Sequence, residues 1–421
     1  MLIKFFNYLY STVLSNKYLK WMYYALLFTY PWLFLFFYQK YGLLAIGFHT
    51  NLILPLYFIA IFDFLGSTQL LRQSIVNRVK HIASIYLIIE FFLIVVRPPT
   101  IYIPFVWGQY FSPYETQNAS FYHTASPHQT YNLKSSEFNF QRTSNSLGFS
   151  DVEWNKEKND NTVRILCLGD SFTEGDGAAY DSTYVSFLKR SLQQRNQHIE
   201  VLNGGFRGSD PFFNFKYLKD VLIEYQPDII LQSFTTNDLY YDILIRGGIE
   251  RFQEDGTLRF RKNYWWEPIY AMSFISRIFI QVGGGFDKYL IKRSEYTKFK
   301  EDATTKTIQL FQDYQTFTED HQIELIPFTM PFNQGIDKSQ ENTVFYQKFK
   351  KEFAHFDLKF YNLQDCYART TQNDNAIYKK YFWEKDGHHN AQGYKMMASC
   401  IEEILMQQSK ILEAFIDKIE E

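Results

Sequence analysis

The sequence has no surplus of basic charge: 43 lysines and arginines face 45 aspartates and glutamates, a formal net charge of −2. No global positive field therefore draws the chain to nucleic acid. Cysteine is scarce as well. Cys167, Cys366 and Cys400 lie far apart without metal-ligand spacing, and an odd count does not support a disulfide framework. Cys167 sits inside an apolar run and reads as a small core residue. No internal repeat is visible, which excludes a solenoid or an array of modules. Against these shortages stands an excess of aromatic residues, 42 Phe and 32 Tyr among 421. Much of it lies in the first 110 residues, which points to contact with lipid.

Residues 21–38 (WMYYALLFTYPWLFLFFY) carry no charge. As a helix they would span about 27 Å, close to a bilayer core. Pro31 is tolerable there. The run is too long for a cleavable signal peptide and lacks an A-x-A site, so it reads as a retained transmembrane helix. Residues 43–65 form a second candidate span, interrupted by His49, Asn51 and Asp63. Residues 82–96 form a third, shorter one that contains Glu90 and ends at Arg97. His49, Asn51 and Glu90 read as hydrogen-bonding groups between packed helices rather than as a polar pathway. Lys4, Lys17 and Lys20 precede the first span, Arg72, Arg78 and Lys80 lie between the second and third, and only Lys40 separates the first two. The positive-inside rule then puts the amino terminus in the cytoplasm and everything after Arg97 outside. Residues 1–110 are thus a membrane region with about three transmembrane helices. Residues 111–161, rich in Ser, Asn, Thr and His, read as a linker and an irregular strap over the next domain.

From residue 162 to 421 short apolar runs alternate with amphipathic stretches. Strands are expected at 163–168, 199–202, 229–234, 323–328 and 359–363, and helices at 184–195, 212–225, 298–321, 343–355 and 392–407. That alternation implies β-α-β units and a parallel sheet covered on both faces. Residues 239–297 are too long for a loop and read as an insertion. It holds FQEDGTLRF, a hairpin turning on Asp255-Gly256, and then the apolar WWEPIYAMSFISRIFIQ. The latter suits a lid over an acyl groove, a surface dipping into a bilayer, or plain packing onto the sheet.

Four short pieces fall at expected strand ends or just before the last helix. They are GDSFTEG at 169–175, NGGFRGS at 203–209, TTND at 235–238 and DGHHNAQGY at 386–394. In a parallel sheet the carboxyl ends of the strands share one edge, so these pieces can meet. Their residue types suit acyl transfer. A serine hydroxyl needs an imidazole to take its proton, and a carboxylate to orient that imidazole. Ser171, a histidine of the last piece and Asp386 supply this set. The N–H groups of Ser171 and Gly208 and the amide of Asn237 can surround an oxyanion. The bland alternative for Ser171 is a helix N-cap hydroxyl.

In order, the four pieces resemble the four sequence blocks of the SGNH/GDSL hydrolase family. The resemblance spans about residues 145–403, including NSLGFSDVEW, which is similar to the lead-in of many membrane-anchored or exported members. It implies an α/β fold: a three-layer α/β/α flavodoxin-like domain with a five-stranded parallel sheet, here preceded by an α-helical transmembrane region. It also implies a Ser-His-Asp triad and a Ser/Gly/Asn oxyanion hole of Ser171, Gly208 and Asn237. The G-x-S-x-G elbow of the larger α/β-hydrolases is absent, which argues against that fold. In the last block the usual Asp-x-x-His spacing selects His389. The frame His-x-Asn-Ala-x-Gly instead selects His388, resembling the branch of polysaccharide O-acetyltransferases. His388 is preferred, since Asn-Ala-Gln-Gly fixes the helix start, and His389 becomes a supporting or surface ring. Asp170 and Asp238 read as carboxylates that hold Ser171 and Asn237 in place; Arg207, beside Gly208, is placed to meet an anionic substrate group, but reads rather as an exposed, solvated arginine.

The expected activity is extracytoplasmic, serine-dependent O-acyl ester hydrolysis or acyl transfer on a cell-envelope glycan or exopolysaccharide, with acetyl favoured. Neither metal nor organic cofactor is required. The expected partners are a glycan-linked acyl ester, the lipid bilayer and a membrane acyl donor, with no nucleic acid. A lipase, phospholipase or thioesterase using residues 265–281 as an acyl groove is the alternative within enzymes, and a non-catalytic glycan-binding module the one outside them.

Overall fold

Every residue of the run Val163–Gly169 is buried, as a strand covered on both faces requires. The computed structural model that places it describes residues 69–96, 125–235, 273–283, 294–331 and 344–420 without a break, most of 242–254, and a few positions before residue 69. The chain divides into two units, Met1–Ser112 with Lys262–Arg293, and Pro113–Arg261 with Ser294–Glu421.

The second unit holds two sheets. Strands β1 (Thr130–Lys134) and β2 (Asn139–Thr143) form an antiparallel hairpin within the stretch expected to be an irregular strap. Strands β3 (Val163–Gly169), β4 (Ile199–Gly205), β5 (Ile229–Phe234), β6 (Glu324–Thr329) and β7 (Tyr361–Asn362) form a five-stranded sheet in the order β4-β3-β5-β6-β7. All its pairings are parallel. This is the doubly wound, flavodoxin-like order, whose ligand edge lies outside the carboxyl ends of the strands.

Successive side chains of β3 enter different cores, as strand geometry dictates. Ile165 and Cys167 join Leu188, Leu192, Met397, Ile401 and Leu405, while Leu166 and Leu168 join Phe212, Phe213, Leu218, Leu310 and Tyr314. The first layer is built by the helices Tyr184–Arg195 and Ala391–Gln408, the second by Pro211–Asp220 and Tyr296–Asp320. Helix starts follow local sequence. Thr183 accepts from Ser186 N, Asp210 from Phe213 N ahead of Pro211 at the first position, and Asn390 from Gln392 N and Gly393 N.

The segment NSLGFSDVEW is also folded onto this unit. The Asn145 side chain accepts from Leu147 N and Phe149 N, Phe149 stacks on Trp154 at 5.2 Å, and Asp151 Oδ2 accepts from Asn203 N at 2.8 Å.

In the first unit, Gln73–Val96 is a helix that packs against Phe274–Val282 from the insertion. Glu90 is fully buried, and its carboxylate accepts from Phe274 N (2.5 Å), Ile275 N (3.0 Å) and Ser273 Oγ (3.2 Å). A carboxylate at a helix N-terminus is well placed there. The expectation for Glu90 is a hydrogen bond to His49 or Asn51 between packed helices, yet these partners come from the insertion; His49 and Asn51 lie outside the described residues. Among the described residues no helix is long and apolar enough to cross a membrane. The third expected span, 82–96, is the end of the helix Gln73–Val96, with Arg78 and Lys80 in the part before it and Glu90 inside it. The first expected span, most of the second, and the Asp255-Gly256 turn lie outside the described residues.

One expectation fails outright. Cys366 and Cys400 form a disulfide, with Cα atoms 5.9 Å apart. An odd cysteine count does not preclude one bridge. Leu363–Thr370 packs beside Ala391–Gln408, and that packing supplies a proximity that sequence separation hides. Cys167 is buried and free, as expected. Replacing Cys366 and Cys400 by serine should lower unfolding stability by about 2–4 kcal/mol. Denaturant melts of the two proteins, with and without reductant, check this.

Candidate active site

The end of β3 delivers a serine through a capped turn. Asp170 is the N-cap of the short helix Ser171–Glu174, and its Oδ1 accepts from Phe172 N at 2.9 Å. The capping duty falls to Asp170, so the hydroxyl of Ser171 bonds elsewhere: Oγ lies 2.8 Å from His388 Nε2. On the other side of the ring, His388 Nδ1 lies 2.5 Å from Asp386 Oδ1. With a carboxylate accepting at Nδ1, that nitrogen carries the proton and Nε2 is left to accept from the serine.

Burial alone would push the His388 pKa down. The bond to Asp386 and the charges of Asp176, Asp386 and Asp170 outweigh burial and raise it above its ordinary value. Burial would likewise raise Asp386, but its hydrogen bond to His388 and the imidazole's charge hold it low. Asp170 and Asp176 are pushed up to about 6, chiefly by burial. The arrangement is a serine, imidazole and carboxylate relay in which the imidazole is held more basic than an ordinary histidine.

His389 is placed apart from this relay. Its ring is fully buried, and Nε2 lies 2.9 Å from Tyr367 Oη, which donates to Gly393 O at 2.9 Å. Because the tyrosine proton is committed to that carbonyl, His389 Nε2 is the donor to Tyr367. Burial, aided by the nearby His388, lowers the His389 pKa to about 3. It stays neutral and packs beneath the site against Phe172 and Phe382.

The Gly208 loop is tied to the serine turn at several points. Phe206 N and Ser209 Oγ both donate to Gly169 O, at 2.9 and 2.7 Å. Arg207 N donates to Glu174 Oε2 at 2.7 Å. Gly208 itself has φ +70°, a left-handed conformation that glycine adopts without strain. At Gly205 a Cβ would sit 2.3 Å from Glu174 N, so the close approach of β4 to this turn also needs glycine. Asn237 and Asp238 lie outside the described residues.

The Arg207 expectation is corrected. Its guanidinium bonds to Glu174 at 3.1 Å and Asp176 at 3.0 Å, which leaves it only partly exposed. The buried Glu174, three residues after Ser171, and Asp176, just past Gly175, draw it inward.

Sequence reading also missed a second support. From the start of the insertion, Arg246 Nη1 donates to Gly208 O at 2.7 Å and to Asp210 Oδ2 at 3.0 Å, and Arg251 Nη2 donates to Asp210 Oδ1 at 2.8 Å. All three side chains are almost fully buried. Burial would raise the Asp210 pKa, but Arg251 and Arg246 bring it down to about 2. The dipeptide Asp210-Pro211 is a recognisable helix-start signal, yet nothing local marks Arg246 or Arg251 as its partners. Among the described residues no group of three or more His, Cys, Asp or Glu is arranged to hold a metal.

Residues 167–396 match the model of the GDSL-like lipase/acylhydrolase family. Solved structures similar to the chain include a two-domain esterase active on acetylated mannans, at 13% identity and TM-score 0.34, covering 58% of this chain and 49% of that one. This chain therefore spans about half of that esterase's length. An acetyl xylan esterase matches at 12% identity and TM-score 0.35, covering 58% of this chain and 100% of its own. A member of the lipolytic G-D-S-L family from Veillonella parvula matches at 16% identity and TM-score 0.33, covering 58% and 99% respectively. No curated protein matches the chain.

Two outcomes follow from these electrostatics. An NMR titration of His388 should give a midpoint above the ordinary 6.5, and Asp386→Asn should move it down. Asp210→Ala removes the carboxylate shared by two buried guanidinium groups, leaving only Arg246 with a second one, Asp242, and should cost about 3–5 kcal/mol of stability. Because the Asp210 pKa is depressed, that stability is present at neutral pH and is lost only as pH falls from about 4 towards about 2. Melting curves across this range test it.

Proposed function

The chain belongs to the GDSL-like lipase/acylhydrolase family, and from that premise we propose that Ser171, His388 and Asp386 are its catalytic triad in O-acyl ester chemistry. The observation that carries the assignment is the pair of contacts at His388, 2.8 Å to Ser171 Oγ and 2.5 Å to Asp386 Oδ1. Family membership supports a serine ester hydrolase; the triad and oxyanion residues, the substrate, the acceptor and the setting are all parts of this proposal.

Ser171 Oγ attacks the acyl carbonyl while His388 Nε2 takes the hydroxyl proton. Asp386 stabilises the imidazolium that forms. The carbonyl electrons move onto oxygen, which the N–H groups of Ser171 and Gly208 receive, together with the Asn237 amide. One such donor is worth about 3–4 kcal/mol in the transition state. Collapse expels the alkoxide, which collects the proton from His388 and leaves an acyl-Ser171 ester. A second hydroxyl then attacks that ester with His388 again as base. Water yields the free acid; a glycan hydroxyl yields a new ester and makes the enzyme a transferase.

We place the reaction outside the cytoplasm, on a cell-envelope glycan or exopolysaccharide, with acetyl as the transferred group and residues 1–110 as the membrane attachment. The Asp-x-His form of the last block supports the glycan reading. The Cys366–Cys400 bridge supports an oxidising compartment, where disulfides persist. The helix Gln73–Val96 supports lipid contact: Ile82, Ile85, Ile88, Ile89, Phe91 and Phe92 are exposed, while Glu90, its one acid in that run, is sealed by the insertion.

On p-nitrophenyl acetate, Ser171→Ala should lose activity by on the order of 10⁴-fold or more. Equal turnover by the two proteins would sink the mechanism. A series of longer acyl esters tests the acetyl assignment: rates should fall steeply beyond butyrate, and undiminished turnover of long chains would favour a lipase instead.

A further inference from the structure

The hairpin of β1 and β2 touches both halves of the relay. On the nucleophile's side, Tyr131 Oη donates to Glu174 Oε1 at 3.0 Å. Arg142, almost fully buried, donates through Nη2 to Gly175 O at 2.9 Å and Ala178 O at 2.8 Å. These acceptors end and follow the helix that begins at Ser171.

On the other side, the hairpin's tip meets the loop that carries the base. That loop is closed on itself, with Trp383 N donating to His388 O at 2.8 Å and Gly387 N to Trp383 O at 3.1 Å. Three of its consecutive amides point outward together. The Glu137 carboxylate accepts from all three: Glu384 N at 3.1 Å, Lys385 N at 2.9 Å and Asp386 N at 2.7 Å. Phe138 packs on the Trp383 ring at 5.6 Å, and Trp383 Nε1 donates to Gly177 O at 2.7 Å. Glu137 is itself fixed, since its N–H donates to Ser135 Oγ and Ser135 N donates to Phe138 O.

We propose that this hairpin is a brace that sets the separation of Ser171 from His388, and that Glu137 is the positioning residue at its tip. The inference rests on the triad reading above. Its physical basis is direct. A carboxylate accepting several amides holds their directions, and charge-assisted bonds of this kind are the stronger ones. Without the carboxylate, three adjacent donors turn to water and the loop relaxes. The 2.5 Å contact from Asp386 to His388 belongs to that loop, and so does the reach of Nε2 to Ser171. Misplacement of about 1 Å can cost on the order of a hundredfold in rate.

The test uses the full chain with Glu137→Ala and Glu137→Gln. On p-nitrophenyl acetate, Glu137→Ala should lower kcat by roughly 10–100-fold with KM within about twofold. Glu137→Gln, with one accepting oxygen, should recover part of the loss. The charged groups that set the His388 proton are Asp386, Asp176 and Asp170, with Arg207 paired to Asp176. Since Glu137→Ala loosens only the first of them, the acid limb of kcat/KM should move to lower pH. Independently of turnover, the downfield NMR signal of the His388 Nδ1 proton should broaden or move upfield. If Glu137→Ala is poorly folded, Glu137→Gln carries the same measurements. Unchanged kcat, acid limb and proton signal in the variants overturn the brace. So does a loss that only tracks the folded fraction. If Glu137 variants match the parent while Ser171→Ala is inactive, the brace fails and the triad stands; if Ser171→Ala matches the parent, it is the triad that fails.

Discussion

A hydroxyl and an imidazole 217 residues apart in sequence have to meet within 2.8 Å, and most of the domain serves that meeting. The serine rides on the end of β3. The imidazole rides on a loop before the helix Ala391–Gln408, which covers one face of the same sheet. Each position is therefore only as well defined as the packing of that helix on β3, through Ile165, Cys167, Met397 and Ile401. Hydrophobic burial supplies the rigidity, and the polar contacts at the strand ends convert it into aim.

What local pattern controls was legible from the residues. Apolar runs ended by glycine marked β3 and β4, and Tyr184–Arg195 starts and stops where its period and Thr183 cap direct. The spacing Asn-Ala-Gln-Gly, which places Asn390 as a cap, selected His388 over its neighbour, and the contacts follow that choice. What depends on distant partners was not legible. Arg207 looked free because Glu174 and Asp176 are ordinary acids until the turn after Ser171 folds them inward. Cys366 and Cys400 looked unrelated because no spacing rule knows which helices lie side by side. Arg246 and Arg251 belong to a stretch that reads as an insertion, yet they enclose Asp210 behind the Gly208 loop.

Burying the guanidinium groups of Arg246 and Arg251 against Asp210, with Asp242 also on Arg246, is costly unless each is hydrogen-bonded, and on its own such a cluster is weak evidence of stability. Here its geometry has a further use. Arg246 joins the Gly208 carbonyl to Asp210, so the Gly208 loop is fastened from behind to a helix start. Arg207 fastens it to the serine turn. In the proposed mechanism a Gly208 N–H oriented in this way needs no reorganisation when charge develops, which is where electrostatic catalysis gains most.

The lead-in segment changes where the catalytic module begins. Asp151 accepts from the backbone of Asn203 and from Tyr180 Oη, Phe149 fills the core beside Leu166 and Tyr217, and Arg142 fastens the turn after Ser171. A fragment cut at the first strand of the large sheet would keep the triad and lose these. The smallest portable version of this enzyme therefore starts before Ala125, ahead of the hairpin. Any shuffling of the module between neighbouring segments, by recombination or by design, has its usable joint upstream of that point.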